Sequence, residues 1–391
     1  MADDTETKND NGLSRRSILA TTVAAAATPV LAASPPKPIA PYKASCVQVR
    51  TVPVVSGGTF DPAALKENVD GHIAAINKGA GEIGARHYVF PGSSLQSGAG
   101  GTVENANQAA ITIPGPETDR IGKVAQATKS YVALQPTEKI AAFPGRNFLS
   151  TVVIGPSGDV LVNYRKHYDF GTKTCPRDIL DQWLAKFGPD SLFPVADTEI
   201  GRIGCTVAMD INWPEMIRSL AFNGAEIVVN PMGFPLAAPD RGYTVRDPES
   251  YPIDLRSMVR RVRAYENLVY ILSANNGPSG TRPPAKVLPS EIVDYRGRAL
   301  VTGPDVSDER FVTAEIDIEA LRKARTTPEH LNGLAQVQVE IHRHGYNKAR
   351  FARMNAFAKT PIKNVDEQKV ALFQAEIDDL VRRGVLKAPA V

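Results

Sequence analysis

The sequence predicts an α/β fold with mixed sheets, and three observations carry that prediction. Short apolar runs rich in β-branched residues alternate with segments of helical periodicity. Two regions, "STVVIGP"–"SGD"–"VLVNYRKHY" and "PSEIVDYRGRALV", read as hairpins, which an all-parallel doubly wound sheet lacks. The chain of 391 residues contains no internal repeat and is long enough for one large domain or two ordinary ones.

The elements follow in order. Residues 34–42, "SPPKPIAPY", form a proline-rich linker. The run "ASCVQVRTVPVV" reads as a strand. A helix follows over Pro62–Lys78, where Leu65, Val69, Ile73 and Ile76 recur at helical spacing. "ARHYVFP" is a short buried strand, and the glycine-rich "GSSLQSGAGGTVENANQAA" a loop. After the first hairpin come the strands "RIGCTVAMD" and "GAEIVVNP", with a helix over Pro214–Asn223 between them. "DLRSMVRRVRAYENL" is an amphipathic helix, "VYILSANN" a buried strand and "ERFVTAEID" a last strand after the second hairpin. Residues 346–391 form a C-terminal helical extension after a domain spanning 43–345. In it Asn364 and Glu367 mark a helix start; Val370, Phe373, Ile377 and Leu380 form an apolar stripe, and Gly384 ends it.

Composition excludes several partners. The net charge is +3, with no concentrated Lys/Arg run, so neither nucleic acid nor a membrane surface is expected. The scattered Cys46, Cys175 and Cys205 make neither a disulfide framework nor a metal motif. Residues 1–33 differ from the rest. Arg15-Arg16, followed by Ile18-Leu19, an alanine-rich run and the small-residue site Val30-Leu31-Ala32, resemble a twin-arginine export signal. That implies the twin-arginine machinery as a partner, folding in a reducing compartment, and a periplasmic or extracellular location.

Familiar chemical motifs are absent. "GAGEIG", Gly79–Gly84, fits a dinucleotide pattern, but its helix precedes the strand, which is the wrong order; it reads as a helix C-terminal turn. There is no phosphate loop and no nucleophile-elbow serine. His342-Arg343-His344 reads as a solvated pair on an exposed strand rather than a metal site. No cofactor or metal is expected.

The informative constellation is dispersed: "YVFPG", "YRK", the Asp210–Arg218 run "DINWPEMIR", "GAEIVVNP", and "RAYEN" with the following "AN". In this order and spacing the motifs resemble the carbon–nitrogen hydrolase (nitrilase) superfamily from about Ser45 to about Arg325. The resemblance implies a four-layer α-β-β-α sandwich, homo-oligomeric assembly, and hydrolysis or acyl transfer at nitriles and amides. The family pattern uses a cysteine nucleophile, a glutamate base, a lysine stabilising the tetrahedral intermediate, and often a second glutamate eight residues after the lysine. Here the lysine falls on Lys166, the base on Gly92, the second glutamate on Thr174 and the nucleophile on Ala208. Three of the four positions lack the group the mechanism needs.

Substitutes are scarce. Cys205 lies three residues before Ala208 and is expected on the opposite face of its strand. Cys175, on a loop beside Thr174, is the candidate for reaching the site. His167 is expected to point away from the pocket if Lys166 points in, and Asp169 sits on a turn. Arg263 and Glu266 read as a structural pair. With its carboxylate neighbours replaced, Lys166 is expected to lack a counter-charge. Three readings follow: a disabled family member whose Lys166 pocket binds a small carboxylate or amide, an active hydrolase using a non-standard nucleophile, and a structural assembly module. In the first, Ala208→Cys with Gly92→Glu and Thr174→Glu is expected to restore some hydrolysis.

Overall fold

A computed structural model describes residues 37–169, 171–233, 255–280, 287–330, 332–349, 351 and 353–389. The twin-arginine segment, its cleavage site and the first linker residues lie outside the described residues. The account below concerns the unit from Ile39 onward.

The strands in chain order are β1 (Tyr42–Gln48), β2 (Ala85–Gly92), β3 (Tyr131–Gln135), β4 (Phe148–Ile154), β5 (Val160–Arg165), β6 (Ile203–Cys205), β7 (Ile227–Val229), β8 (Tyr270–Ser273), β9 (Glu291–Val293), β10 (Ala299–Thr302) and β11 (Arg310–Ile316). Four helices flank them: α1 (Pro62–Lys78), α2 (Pro116–Thr128), α3 (Pro214–Phe222) and α4 (Leu255–Asn267). The first sheet runs β11-β1-β2-β3-β4, with β5 and the short strand Thr137–Glu138 both on β4. The second runs β10-β9-β8-β7-β6 and ends on Val195–Ala196. Central pairs β1/β2, β2/β3, β6/β7 and β7/β8 are parallel. Both expected hairpins form, as the antiparallel pairs β4/β5 and β9/β10.

Strand alternation builds the layers. Ala44, Cys46, Val89, Ala133, Val153 and Val162 of the first sheet meet Ile203, Cys205, Val229, Leu272 and Ile292 of the second in one core. The opposite face of the first sheet, with Val47, Tyr88, Phe90, Val132 and Val152, packs on Leu65, Val69 and Ile76 of α1 and Ile121 and Val124 of α2. The outer face of the second, with Val228, Ile271 and Val293, packs on Ile217 and Leu220 of α3 and Ala264 of α4. This is the four-layer α-β-β-α order.

Local rules set several boundaries. Asp61 caps α1, its carboxylate accepting the Ala63 N–H at 2.8 Å, and Pro62 occupies the first helical position. "GAGEIG" is the turn that ends this helix, closing on Gly84 at φ +70°. Gly79 is required there because a Cβ would lie 2.5 Å from the Tyr88 ring.

Three expectations are corrected. The first strand ends at Gln48 rather than continuing to Val55, which pairs instead in the small hairpin Val55–Ser56/Thr59–Phe60. His342 and His344 lie on an exposed helix, Val339–Tyr346, not a strand. In the C-terminal helix Asn364 does accept the Glu367 N–H at 2.8 Å. A π-turn over Lys369–Gln374 then rotates the following residues by inserting one extra residue in the turn. Leu372, Glu376 and Asp379 face inward, and Ile377 is 47% exposed. The stripe assumed an unbroken 3.6-residue period; Val370 lies among the residues whose side chains are not described.

Two imidazoles, His72 and His87, are fully buried, and a third, His167, is half-buried. Burial depresses His72 to about 4, His87 to about 3, and His167, with Arg177 adding, to about 4. Neither ring nitrogen of His87 has a hydrogen-bond partner among the described residues. Because these rings stay neutral in the folded chain, the unfolded chain binds more protons below about pH 6.5, and stability falls as pH drops from there towards 4. Asp178 and Asp210, raised by burial to about 6, work the other way between about pH 4 and 6 and offset part of the loss. We therefore expect a lower melting temperature at pH 5 than at pH 7.5, and a shallower dependence in His87→Leu. Equal melting temperatures at both pH values would contradict this balance.

Candidate functional site

The sequence-selected residues sit at the carboxyl ends of the strands, where open α/β sheets leave a crevice. β2 ends at Gly92, β5 leads into Lys166, β6 leads into the 3-10 turn Ala208–Asn212, and β7 leads into Asn230–Gly233. A two-residue strip after β7 joins the two sheets. The Ala208 N–H donates to the Pro231 carbonyl at 2.9 Å, and the Gly92 N–H to the Met232 carbonyl at 2.7 Å. Asn230 Nδ2 braces the elbow from beneath, donating to the Ala208 carbonyl at 3.1 Å and to Thr206 Oγ1 at 3.0 Å. Ala208 itself has φ +46°. This left-handed conformation costs a non-glycine residue about 1 kcal/mol and persists only where its surroundings hold it.

Gly92 is enclosed. A Cβ there would stand 2.1 Å from Gln135 Oε1, 2.9 Å from the Gly233 nitrogen and 3.0 Å from the Met232 carbonyl carbon. Gln135, at the end of β3, occupies the room a side chain at 92 would need, and its Oε1 is buried without a hydrogen-bond donor among the described residues. The frame has closed over this position, so the expectation that Gly92→Glu would fit into an intact frame does not hold: backbone as well as side chain stands in the way.

Lys166 is buried, and the expectation that it lacks a counter-charge is corrected. Its Nζ donates to Asp169 Oδ1 at 2.8 Å. Asp169 Oδ2 accepts the N–H groups of Gly171 at 2.8 Å and Lys173 at 3.1 Å. Burial alone would lower the Lys166 ammonium, but Asp169 and Asp210 together outweigh it and hold it above its ordinary value. Burial likewise opposes the Asp169 carboxylate, and Lys166 with the two N–H donors outweighs it, so both members are charged. Asp210 connects this loop to the elbow. Its Oδ2 accepts from the Tyr164 hydroxyl at 2.7 Å and the Val207 N–H at 3.2 Å, and its Oδ1 accepts the Tyr168 N–H at 3.1 Å.

Thr174 is buried in the same loop, its N–H donating to the Asn147 carbonyl at 2.9 Å. Its neighbour Lys173 was not singled out by the sequence. It is 6% exposed, and its Nζ has no hydrogen-bond partner among the described residues. Burial pushes its ammonium down to about 8, with Asp169 opposing and Lys166 adding to the shift.

None of the cysteines offers a ready thiolate. Cys175 lies close enough to Lys166 and Asp169 to feel their charges, but it is fully buried, and burial followed by Asp178 pushes its thiol well up. Cys205 belongs to the inter-sheet core with Cys46, and burial raises both. His167 packs between Tyr164 and Phe193, at ring distances of 5.3 and 5.2 Å.

Two outer contacts hold the site's walls. Arg263 pairs with Glu266 at 3.0 Å and donates to the Ile211 and Asn212 carbonyls at 3.2 and 2.8 Å, so this charged pair caps the elbow's turn. The C-terminal extension straps the loop that carries Lys173 and Cys175. Asn355 N–H donates to the Arg177 carbonyl at 2.8 Å and Phe357 N–H to the Asp178 carbonyl at 3.0 Å. The Arg177 guanidinium lies 5.6–6.0 Å from the ring centres of Tyr168, Phe351 and Phe373.

Lys166→Met should strand the buried Asp169 carboxylate and cost about 3–5 kcal/mol, with Lys166→Met/Asp169→Asn recovering part of it. Denaturant unfolding of the single and double variants checks this; a near-neutral single variant would refute the pairing. Ala208→Gly should raise stability by roughly 1 kcal/mol by relieving the positive φ, whereas a relaxed elbow would make glycine destabilising.

Comparisons with known proteins accord with this geometry. Residues 43–326 match the family model described as carbon-nitrogen hydrolase. A formamidase of Bacillus cereus (strain B4264) is 27% identical over 292 residues, covering 74% of this chain and 78% of the relative. An omega-amidase of Bos taurus is 26% identical over 213 residues, covering 54% and 71%. Among solved structures, a carbon-nitrogen hydrolase from Helicobacter pylori G27 superposes with a TM-score of 0.60 at 18% identity, over 78% of this chain and 98% of that one. An amidase from Nesterenkonia sp. gives 0.55 at 16% identity, over 78% and 96%. At those identities the likeness establishes the fold, while the family model spans most of the chain: this protein belongs to the carbon–nitrogen hydrolase family of the nitrilase superfamily.

Proposed function

We propose that this chain is an exported, homo-oligomeric member of the family that has lost hydrolytic chemistry and keeps its site to bind a small carboxylate or amide. One observation carries the reading. Ala208 is held at φ +46° by its bonds to Pro231 and Asn230, yet it presents only a methyl group. An elbow strained in this way supports a mounting for a nucleophile, and a methyl cannot attack a carbonyl or nitrile carbon.

The other positions support the same reading. The base position Gly92 has no proton acceptor, and Gln135 fills the adjoining space. Thr174 replaces the second glutamate. Lys166, the retained oxyanion-stabilising position, is engaged by Asp169 at 2.8 Å. The active alternative through Cys175 finds little support, because a fully buried thiol with a raised pKa is a poor nucleophile. Export rests on the arginine pair, Arg15-Arg16, and the alanine-rich run after it. Assembly rests on the family resemblance.

Ammonia release from a panel of aliphatic amides and nitriles should stay at the buffer rate for the wild-type chain. The triple variant Ala208→Cys, Gly92→Glu, Thr174→Glu should remain inactive as well, because the Gly92 position has no room. Turnover by the wild type that disappears in Cys175→Ser would replace this proposal with the non-standard hydrolase.

A further inference from the structure

The unpartnered ammonium at this site is that of Lys173, not that of Lys166. Every oxygen of the two carboxylates whose charges act on Lys166 is engaged. Asp169 Oδ1 receives Lys166 Nζ and its Oδ2 two backbone N–H groups. Asp210 receives the Tyr164 hydroxyl and the N–H groups of Val207 and Tyr168. The nearby Asp178 accepts the Cys175 N–H on Oδ2 at 2.8 Å; its Oδ1 faces Arg177 Nε at 3.5 Å without a hydrogen-bond partner among the described residues. Lys173 follows Asp169 by four residues in the same turn, donates its backbone N–H to that carboxylate, and is 6% exposed. Its Nζ, with three donors, has no acceptor among the described residues.

A buried ammonium with no partner is strongly unfavourable unless an acceptor meets it, and none does so among the described residues. Lys166 and Asp169 cancel each other. Asp210 acts on Lys166 as well, and Lys173 is left as the ammonium that no acceptor among the described residues meets; a small carboxylate would supply that acceptor. An amide would offer a carbonyl acceptor but no charge. Thr174, next along the turn, is shorter by a whole carboxyl group than the glutamate the family pattern expects there.

We propose that the Lys166–Asp169–Lys173 turn is a binding site for small carboxylates, and that Lys173 is the residue that selects the acid over the corresponding amide. This rests on the reading of the chain as a binding protein and narrows its ligand to one of the two classes.

Calorimetric titration of the full chain with sodium acetate and sodium propionate, against acetamide and propionamide at matched ionic strength, tests it. The acids should bind at least tenfold tighter than the amides. Lys173→Met, which keeps the apolar stem and removes the charge, should weaken acetate binding at least tenfold. It should also melt no lower than the wild type in acid-free buffer, and acetate should raise the melting temperature of the wild type alone. Equal binding of acetate and acetamide, no acetate binding, or acetate binding untouched by Lys173→Met would overturn the assignment. Should Lys173→Met not fold, the acid-against-amide comparison on the wild type decides alone. Ammonia measured in the amide samples reads the inactive-enzyme proposal separately, so either idea can fail without the other.

Discussion

The carboxylate of Asp210 is the interaction on which the site's geometry depends. It is fully buried at the elbow that follows the second sheet's β6, and it takes the hydroxyl of Tyr164 from the first sheet's β5. It also takes the N–H of Val207 on its own turn and that of Tyr168 just past Lys166. One side chain therefore fixes the distance between the elbow and the lysine loop. Burial raises it to about 6, and Lys166 with three donated hydrogen bonds opposes that rise. Such a group is strongly felt if removed, because its donors would be left buried and unpaired.

Around that clamp one short strip of backbone ties the elbow to the first sheet. The strip Pro231–Met232 bonds to both the elbow and the end of β2, and Ala208 holds a left-handed backbone. Backbone geometry of this kind is set by strand pairing and core packing. Gln135 fills the room beside Gly92, and Gly92 and Gly233 approach closely enough that neither tolerates a Cβ without displacement. A side chain at position 92 is thus excluded by packing.

The lysine loop holds a paired and an unpaired ammonium side by side. Asp169 neutralises Lys166, and Lys173 introduces a second ammonium that nothing in the described chain meets. The C-terminal extension lies over the same loop through Asn355, Phe357 and the aromatic surround of Arg177.

Much was legible in the sequence. The α1 stripe of Leu65, Val69 and Ile76, both hairpins and the order of motifs placed nearly every element of the sandwich, because periodicity and turn chemistry act over a few residues. The positions Gly92, Lys166 and Ala208 follow from local motifs and Thr174 from its spacing to Lys166, and all four lie in turns or at strand ends of the fold. Where a local pattern was interrupted, as by the π-turn at Lys369–Gln374, the reading of the face failed. What tertiary structure alone decided is partnership. The sequence left Lys166 without a counter-charge, because whether it meets Asp169 three residues on depends on the turn between them. Nothing local announces that Gln135 fills the space at Gly92, or that Lys173 is buried without a partner among the described residues. The first arises because β2 and β3, distant in sequence, pair in one sheet with Gly92 opposite Gln135. A sequence states which groups are present; only the fold determines which of them are left without a partner.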